Sequence, residues 1–145
     1  MKALIQRVKQ ASVTIDEKLY SKIGEGILVL LGVEKGDDTT NAEKLADKIA
    51  KLRIFEDENG KMNKSIQDIN GEILVVSQFT LCGDCKKGTR PSFDKSAPPE
   101  IAEKLYEYFT TQLKTLNISC KTGKFRAMMD VELINDGPVT FMIEK

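Results

Sequence analysis

Apolar and polar residues alternate along the first part of the chain, which is the pattern of β-strands with one buried face. The alternation covers residues 2–9 and 11–15, and the polar run Asp16-Glu17-Lys18 predicts a turn into a third strand at residues 20–23. Residues 27–33 then form a nearly continuous apolar run, which is typical of a strand buried on both faces. Together these segments predict an antiparallel meander.

Two later segments repeat apolar residues every three or four positions, which is helical spacing. Thr39 or Thr40 is placed to cap the first helix, and Ser96 with Pro98 and Pro99 to begin the second. The apolar positions are Ala42, Leu45, Ala46, Ile49 and Leu52 in the first helix and Ile101, Leu105, Tyr108, Phe109 and Leu113 in the second. Each helix should pack its apolar face on a sheet.

The rest of the chain adds strands and one long polar segment. Asn59-Gly60 is a strong turn signal, and strands are predicted at residues 73–79, 118–121, 127–134 and 139–143, the last of them buried. Residues 82–99, polar and interrupted by glycines and prolines, predict a long loop suited to a mobile flap. The fold class predicted is α+β: one domain over residues 1–145, mostly antiparallel and β-barrel-like, with two packed helices.

The composition changes this picture little. Hydrophobic residues make up 41% of the 145 and charged residues 30%, which is typical of an ordered globular protein. No apolar run approaches the ~20 residues of a membrane span, and the first residues carry no secretion signal. We therefore expect a cytoplasmic protein with no membrane partner.

The charge balance limits nucleic-acid binding to local contacts. Lys and Arg number 22, and Asp and Glu also number 22, so no overall positive field is present. The local candidates are two basic groups, Lys86-Lys87 with Arg90, and Lys121, Lys124 with Arg126. A solvated basic face is the simpler explanation of either group taken alone.

The cysteines and the lack of histidine bear on the chemistry. Cys82 and Cys85 have Cys-x-x-Cys spacing, which suits a redox pair or half a zinc site. Only Cys120 and carboxylates could complete such a site, and a polar loop instead of a helix follows, so we expect incidental thiols, no metal site and no cofactor. The absence of His excludes Ser-His-Asp and Cys-His activation.

Two short segments carry candidate chemistry. Ser77-Gln78-Phe79-Thr80 lies where a predicted strand meets a loop, a common position for reacting groups. Gly137-Pro138 lies between two predicted strands, where a simple interpretation is a hairpin turn. A functional interpretation is a rigid backbone element that acts as a steric gate. Each segment by itself is explained by structure at least as well as by catalysis.

The chain resembles the D-aminoacyl-tRNA deacylase family. The resemblance is carried by two motifs, Ser77-Gln78-Phe79-Thr80-Leu81 and Asn135-Asp136-Gly137-Pro138-Val139-Thr140. It extends over essentially the whole chain through the segments at 3–8, 11–13, 30–33, 53–55, 60–63, 90–93 and 122–125. The Cys82 and Cys85 pair is outside the family pattern.

The resemblance implies a compact β-barrel-like fold and a symmetric homodimer with active sites at the subunit interface. It implies that Ser77, Gln78, Phe79 and Thr80 line the pocket for the 3′-terminal adenosine and its D-aminoacyl group. Gly137 and Pro138 would come from the partner subunit as a wall that excludes L side chains. The same resemblance places Arg7 and Met128 among the substrate-binding residues and predicts aminoacyl-tRNA, not DNA, as the partner.

Hydrolysis of such an ester demands little of the protein. The ester is activated, and the 2′-OH of the substrate can assist water, which agrees with the missing His. Backbone N–H groups near Gln78 and Phe79 are candidates to stabilise the oxyanion, and Thr80 as nucleophile is the competing mechanism. Two other functions stay open: a non-catalytic dimeric RNA-binding module, and a redox or zinc protein built on Cys82 and Cys85.

Overall fold

The structure is a computed structural model that describes all 145 residues, Met1 to Lys145. It contains eight strands, two α-helices and one 3₁₀ turn at Phe79–Cys82. The strands are β1 (Lys2–Ile15), β2 (Lys18–Ile23), β3 (Gly26–Gly32), β4 (Phe55–Glu56), β5 (Met62–Lys64), β6 (Glu72–Ser77), β7 (Ser119–Thr122) and β8 (Asp130–Glu144). The helices are α1 (Thr39–Ala50) and α2 (Pro99–Thr115).

Strand β1 is the centre of the main sheet. It runs unbroken where two strands were predicted, and its neighbours β2 and β3 pair with it in one antiparallel register, from Lys2 opposite Gly32 to Ala11 opposite Ile23. Strand β8 pairs along its other side. The predicted meander is therefore wrong in one respect. Strand β3 does not pair with β2; instead, β2 and β3 lie one after the other along the same side of β1.

Strands β6 and β7 extend the sheet beyond β3 in parallel. Parallel neighbours need a crossover connection, and α1 and α2 lie in the two crossovers, so both helices cover one face of the sheet. The sheet curls until the Lys121 Nζ of β7 donates to the Lys22 backbone oxygen of β2 at 2.6 Å. The predicted α+β class, mostly antiparallel, barrel-like and with two helices, is confirmed.

The helix ends differ from the prediction in detail. Asp38 caps α1, in place of Thr39 or Thr40, because its carboxylate accepts from the backbone N–H of Thr40 and of Asn41. Helix α2 begins at Pro99, in agreement with the preference of proline for the first position of a helix. Both apolar faces meet in the main core, where Phe109 and Ile49 are fully buried against Ile27 and Val29 of the sheet. Tyr106, missed by the sequence pattern, is buried there too.

The predicted turn at Asn59-Gly60 is present between β4 and β5, with Gly60 in the left-handed region at φ 70°. The predicted burial of the last strand is wrong for the single chain. Strand β8 pairs only with β1, and Val139 is its one buried residue. Its apolar residues Ile134, Phe141 and Met142 are 47%, 41% and 49% exposed. No helix of the structure is long and apolar enough to cross a membrane.

Candidate active site

Three parallel strands end at the same edge of the sheet. Strands β3, β6 and β7 finish at Gly32, Ser77 and Thr122, so the segments that follow them converge. In α/β sheets, ligands bind in the crevice outside the carboxyl ends of such strands. This edge carries the first motif segment.

The Ser77 to Thr80 segment turns sharply at this edge. Strand β6 ends at Ser77, two residues before the predicted end, and the chain enters the 3₁₀ turn at Phe79. The Gln78 backbone N–H donates to the Leu31 backbone oxygen at 2.8 Å, which removes it from the candidate oxyanion donors. Phe79 and Thr80 begin the turn, where the first amide groups have no acceptor inside the turn. Their N–H groups are the remaining candidates.

The polar side chains of the segment contact each other. Gln78 Nε2 donates to Thr80 Oγ1 at 2.5 Å, and no basic side chain contacts the Thr80 hydroxyl. A hydroxyl without a base is a weak nucleophile. The geometry therefore gives the Thr80 hydroxyl a hydrogen-bond donor but no base to activate it.

Phe79 is held in place by an aromatic contact to its ring and a hydrogen bond to its backbone oxygen. Its ring lies 5.0 Å from the Phe93 ring, centroid to centroid, and its backbone oxygen accepts from Ser96 Oγ at 3.4 Å. A Cβ added at Gly32 would lie 3.2 Å from the Gln78 backbone oxygen, so the turn sits directly on the end of β3. Phe79 still exposes 55% of its surface, which leaves an apolar face open at the edge.

The long predicted loop is anchored at both ends. Asp84 and Ser92 exchange two backbone hydrogen bonds, and the Ala97 N–H donates to the Val33 oxygen at 3.0 Å. Phe93 and Ser96, which support Phe79, both belong to this loop. In the sequence, Phe93 belongs to the 90–93 segment that resembles the family, but the sequence alone assigns it no role.

The cysteines do not form a pair. All three thiols are free; Cys82 is buried, with its Sγ 3.5 Å from the Val33 oxygen, whereas Cys85 is exposed. Burial raises the pKa of Cys82, and it raises the pKa of Cys120 to about 11. Burial thus holds both thiols in their unreactive neutral form. No group of three His, Cys, Asp or Glu side chains is arranged to hold a metal ion.

Gly137 and Pro138 lie in a bulge of β8, where the simple interpretation had placed a hairpin turn. Gln6 of β1 faces Thr140 and Val8 faces Asn135, so β8 has three more residues than β1 across this interval. The Gly137-Pro138 peptide bond is cis. Asn135 closes the bulge, because its Nδ2 donates to the backbone oxygens of Arg7 and Val139 at 2.9 and 3.1 Å.

Arg7 lies directly beneath this bulge. It is 7% exposed, and its guanidinium donates from Nε to the Asp136 backbone oxygen at 2.9 Å and from Nη1 to the Ile54 backbone oxygen at 2.6 Å. The carboxylate of Asp136 lies 3.0 Å from Nε. Met128, the other predicted binding residue, is 90% exposed in the segment after β7.

Within one chain the two motifs stand apart. Arg7 pairs with Ile27, and Ser77 pairs with Leu31, four residues further along β3. At the rise of a β-strand this interval is about 13 Å. Apart from Met128, the predicted site residues thus fall into two groups, Ser77 to Thr80 at the sheet edge and Gly137 and Pro138 in the bulge above Arg7.

A cavity of about 600 Å³ lies beside Met1 and Lys145, away from both groups, and is lined mainly by charged residues. Most small-molecule sites share a largely apolar lining, which this cavity lacks. The first motif instead lies on an open surface with its apolar face uncovered.

Comparison with known proteins gives full-length matches. Residues 4–144 match the family D-Tyr-tRNA(Tyr) deacylase. A protein of Geotalea daltonii named D-aminoacyl-tRNA deacylase is 60% identical over 99% of this chain and 96% of its own length. A protein of the same name from Thermosipho africanus is 58% identical over 99% of this chain and 97% of its own.

Two solved structures are also similar. One, named c-Myc DNA unwinding element binding protein, has a TM-score of 0.94 and 46% identity, and the match covers 100% of this chain and 99% of the other. The second, described as a probable eukaryotic D-amino acid tRNA deacylase, has a TM-score of 0.85 over 99% of this chain and 98% of its own. Its identity is 14%, so it speaks for the fold alone.

Proposed function

The chain belongs to the D-Tyr-tRNA(Tyr) deacylase family, and on this premise we propose that it hydrolyses the ester bond of D-aminoacyl-tRNA. The products are free tRNA and the D-amino acid, and the role is chiral proofreading in the cytoplasm by a single domain, without a cofactor. The observation that carries the proposal is the Ser77 to Thr80 turn, which offers backbone N–H groups and an exposed aromatic ring on a rigid sheet edge.

The turn suits a reaction that needs little from side chains. The carbonyl oxygen of the ester would accept from the N–H of Phe79 or Thr80 as negative charge develops on it. Loss of one such donor typically costs about 10²–10³ in rate. The 2′-OH of the terminal ribose would position water or share its proton, so the absence of a base near Thr80 is no obstacle.

A symmetric homodimer would bring the two motifs together. The Gly137-Pro138 bulge cannot reach the Ser77 to Thr80 turn of its own chain without crossing about 13 Å of β3. In such a dimer, a two-fold axis would place the bulge of one subunit over the turn of the other, and each subunit would do the same for its partner. The apolar, unpaired β8 edge gives such a dimer a surface to bury.

The bulge would act as a wall on one side of the substrate Cα. Rejecting any L side chain by contact with backbone atoms avoids the need to recognise each D side chain. Such a wall predicts broad tolerance of D side chains and some action on glycyl-tRNA, because glycine has no side chain to exclude. Met128 beside the edge would contact the substrate, whereas Arg7 would act by holding the bulge.

Hydrolysis of matched D-tyrosyl-, L-tyrosyl- and glycyl-tRNA by the purified protein tests the proposal. We expect rapid release from the D substrate, slower release from glycyl-tRNA and no release from the L substrate above the spontaneous rate. Equal rates on the D and L substrates would refute the stereochemical wall. Binding of tRNA with no hydrolysis of any substrate would support a non-catalytic RNA-binding module instead.

A further inference from the structure

Cationic side chains flank the Ser77 to Thr80 turn on two loops, and we propose that these loops bind the phosphates of the RNA strand that precedes the terminal adenosine. The first basic loop comprises residues 83–98, after β6. The second basic loop comprises residues 123–129, after β7. The inference rests on the proposed function and assigns residues to its RNA partner.

The first basic loop presents its cations at a fixed tip. The backbone bonds between Asp84 and Ser92 close the neck of the loop, and Lys86, Lys87 and Arg90 lie exposed beyond it. None of these three side chains forms an ion pair within the chain. Their charge is therefore available to an external anion.

The acidic residues of this loop accept hydrogen bonds from neutral donors of the same loop. Asp84 Oδ1 accepts from the Lys86 backbone N–H at 2.9 Å, and Asp94 Oδ2 accepts from Ser92 Oγ at 2.9 Å. Both residues, with Lys86, Lys87 and Lys95, line a cleft of about 320 Å³ that has no hydrophobic residue in its wall. With three lysines against two aspartates, the wall of the cleft carries an excess of positive charge.

The tip is coupled to the reaction centre through Phe93. This residue directly follows the Ser92 neck, and its ring lies 5.0 Å from that of Phe79. Phe93 and Phe79 are 39% and 55% exposed, so the loop presents cations beside a pair of exposed apolar rings. Single-stranded nucleic acid is bound by this combination, in which bases stack on the rings and phosphates contact the cations.

The second basic loop lies on the other side of the turn. The Gly123 N–H donates to the Val75 oxygen at 2.9 Å, which fixes the start of the loop beside the end of β6. Lys124 and Arg126 are exposed, and the loop contains no acidic residue. Lys121 does not belong to this surface, because its Nζ is bound by Glu72 at 3.1 Å and by the Lys22 backbone oxygen.

The acidic side chains after β3 do not cancel this field. Glu34 pairs with Lys2 at 3.1 Å, and Asp37 pairs with the amino group of Met1 at 2.6 Å. The edge around the turn therefore has a local excess of positive charge in a chain whose net charge is zero. A strand of RNA would be oriented along the edge by this local field.

The test compares three variants of the full-length protein. The first, K86Q/K87Q/R90Q, removes the three tip cations of the first basic loop, and the second, K124Q/R126Q, removes both cations of the second basic loop. The control, K44Q/K48Q/K104Q, removes three exposed cations on α1 and α2 that form no ion pair. All sites are exposed, so each variant should keep the wild-type melting temperature.

Each variant is assayed on D-tyrosyl-tRNA and on D-tyrosyl-adenosine, which has no phosphates, and in binding of uncharged tRNA between 50 and 200 mM salt. We expect the two loop variants to raise the KM for the tRNA substrate and the Kd for uncharged tRNA by about tenfold at low salt. The salt slope should flatten by about one for each phosphate that the protein no longer neutralises. Hydrolysis of D-tyrosyl-adenosine should be unchanged.

Equal losses on both substrates, or losses as large in the control variant, would overturn the phosphate site. So would wild-type affinity and salt dependence in both loop variants. These outcomes differ from failure of the proposed function, which would appear as a wild-type protein that hydrolyses neither substrate. The binding of uncharged tRNA is measured without catalysis and tests the phosphate site even then.

Discussion

Arg7 donates from Nε to the backbone oxygen of Asp136 at 2.9 Å, and the same nitrogen lies 3.0 Å from the Asp136 carboxylate. Asp136 precedes Gly137 directly, so a buried side chain of β1 fixes the start of the β8 bulge. The guanidinium also binds the Ile54 oxygen, which ties the bulge to the segment between α1 and β4. The position of the proposed wall thus depends on one arginine that lies beneath it.

Replacement of Arg7 by alanine should therefore weaken both stability and chiral selection. Removing Arg7 leaves the buried Ile54 backbone oxygen without its donor and the partly exposed Asp136 carboxylate without its cation, which should cost about 1–3 kcal/mol. We expect this loss in urea unfolding at a fixed protomer concentration, together with a lower D/L rate ratio. Arg7→Lys keeps the charge but cannot donate to both carbonyls, so it should fall between wild type and Arg7→Ala. An unchanged D/L ratio in a folded Arg7→Lys protein would argue against the positioning role.

Gly137→Ala tests the bulge more directly. A Cβ at this position would lie 2.4 Å from both Asn135 Oδ1 and the Val139 backbone nitrogen, and the second contact cannot relax by side-chain rotation. The bulge should shift and D-aminoacyl-tRNA hydrolysis should fall by about tenfold or more, since small misplacements at a reaction centre are costly. Gly24→Ala is the control, because a Cβ there would meet only the Glu72 carboxylate, at an ordinary contact distance of 3.8 Å. Equal activity of the two variants would contradict the assignment.

Thr80→Ala separates the two candidate mechanisms. Loss of a true nucleophile costs on the order of 10⁶ in kcat, whereas loss of a hydroxyl that only accepts from Gln78 should leave most of the activity. We expect single-turnover rates within about tenfold of wild type. A substrate ending in 2′-deoxyadenosine should be hydrolysed far more slowly by both proteins. A folded, substrate-binding Thr80→Ala protein with no activity would favour Thr80 as nucleophile.

Glu72 should make the stability depend on pH in the acid range. The hydrogen bond from the Gly24 N–H lowers the pKa of Glu72, and Lys121 lowers it further. A depressed folded pKa means that the stabilisation is complete above the ordinary value of 4.5 and is lost as pH falls below it. Glu72→Gln should therefore cost about 1 kcal/mol at pH 7 and less at pH 3, measured by urea unfolding. Glu103→Gln on the exposed face of α2 is the control. An equal cost for Glu72→Gln at both pH values would show that the charge is not responsible.

The three thiols should differ in their reactivity. Burial raises the pKa of Cys82 and of Cys120, the latter to about 11, so few thiolates form at pH 8. Iodoacetamide should therefore add once to the folded protein, at the exposed Cys85, and three times in urea. Cys85→Ser should abolish the rapid addition, as peptide mapping by mass spectrometry can show. Rapid labelling of Cys82 in the folded protein would mean that the 3₁₀ turn opens away from the end of β3.

Much of the fold could be predicted from local pattern. The helical spacing around Leu45 and Phe109 and the alternation in β1 each reflect one buried face, and a buried face leaves a periodic trace in the sequence. The Asn59-Gly60 turn likewise depends on the backbone freedom of a single glycine. These features need no knowledge of distant residues.

The remaining features depend on partners far along the chain. Nothing near Gly137 shows that Gln6 and Val8 lie opposite, so local pattern predicts a turn between two strands where the structure has a bulge. Arg7 is a charged residue in a strand, and such residues normally face solvent. Only its hydrogen bonds to the backbone oxygens of Ile54 and Asp136 explain its burial. Phe93 packs against Phe79 because backbone hydrogen bonds close the neck of the loop that carries Phe93. Backbone hydrogen bonds depend little on residue type, so the sequence pattern does not predict this contact.

The pairing of β1 with β8 also determines the order in which parts of the fold can assemble during synthesis. Strand β1 is synthesised long before its outer partner β8, since Lys2 lies opposite Glu144 in the sheet. Translation proceeds at about 5–20 residues per second, so the outer edge of β1 stays uncovered for seconds while helices α1 and α2 are already available to pack. The Arg7 site, the bulge and the wall that it forms can assemble only when synthesis of the strand is finished, and a truncated nascent chain would therefore display one motif without the other.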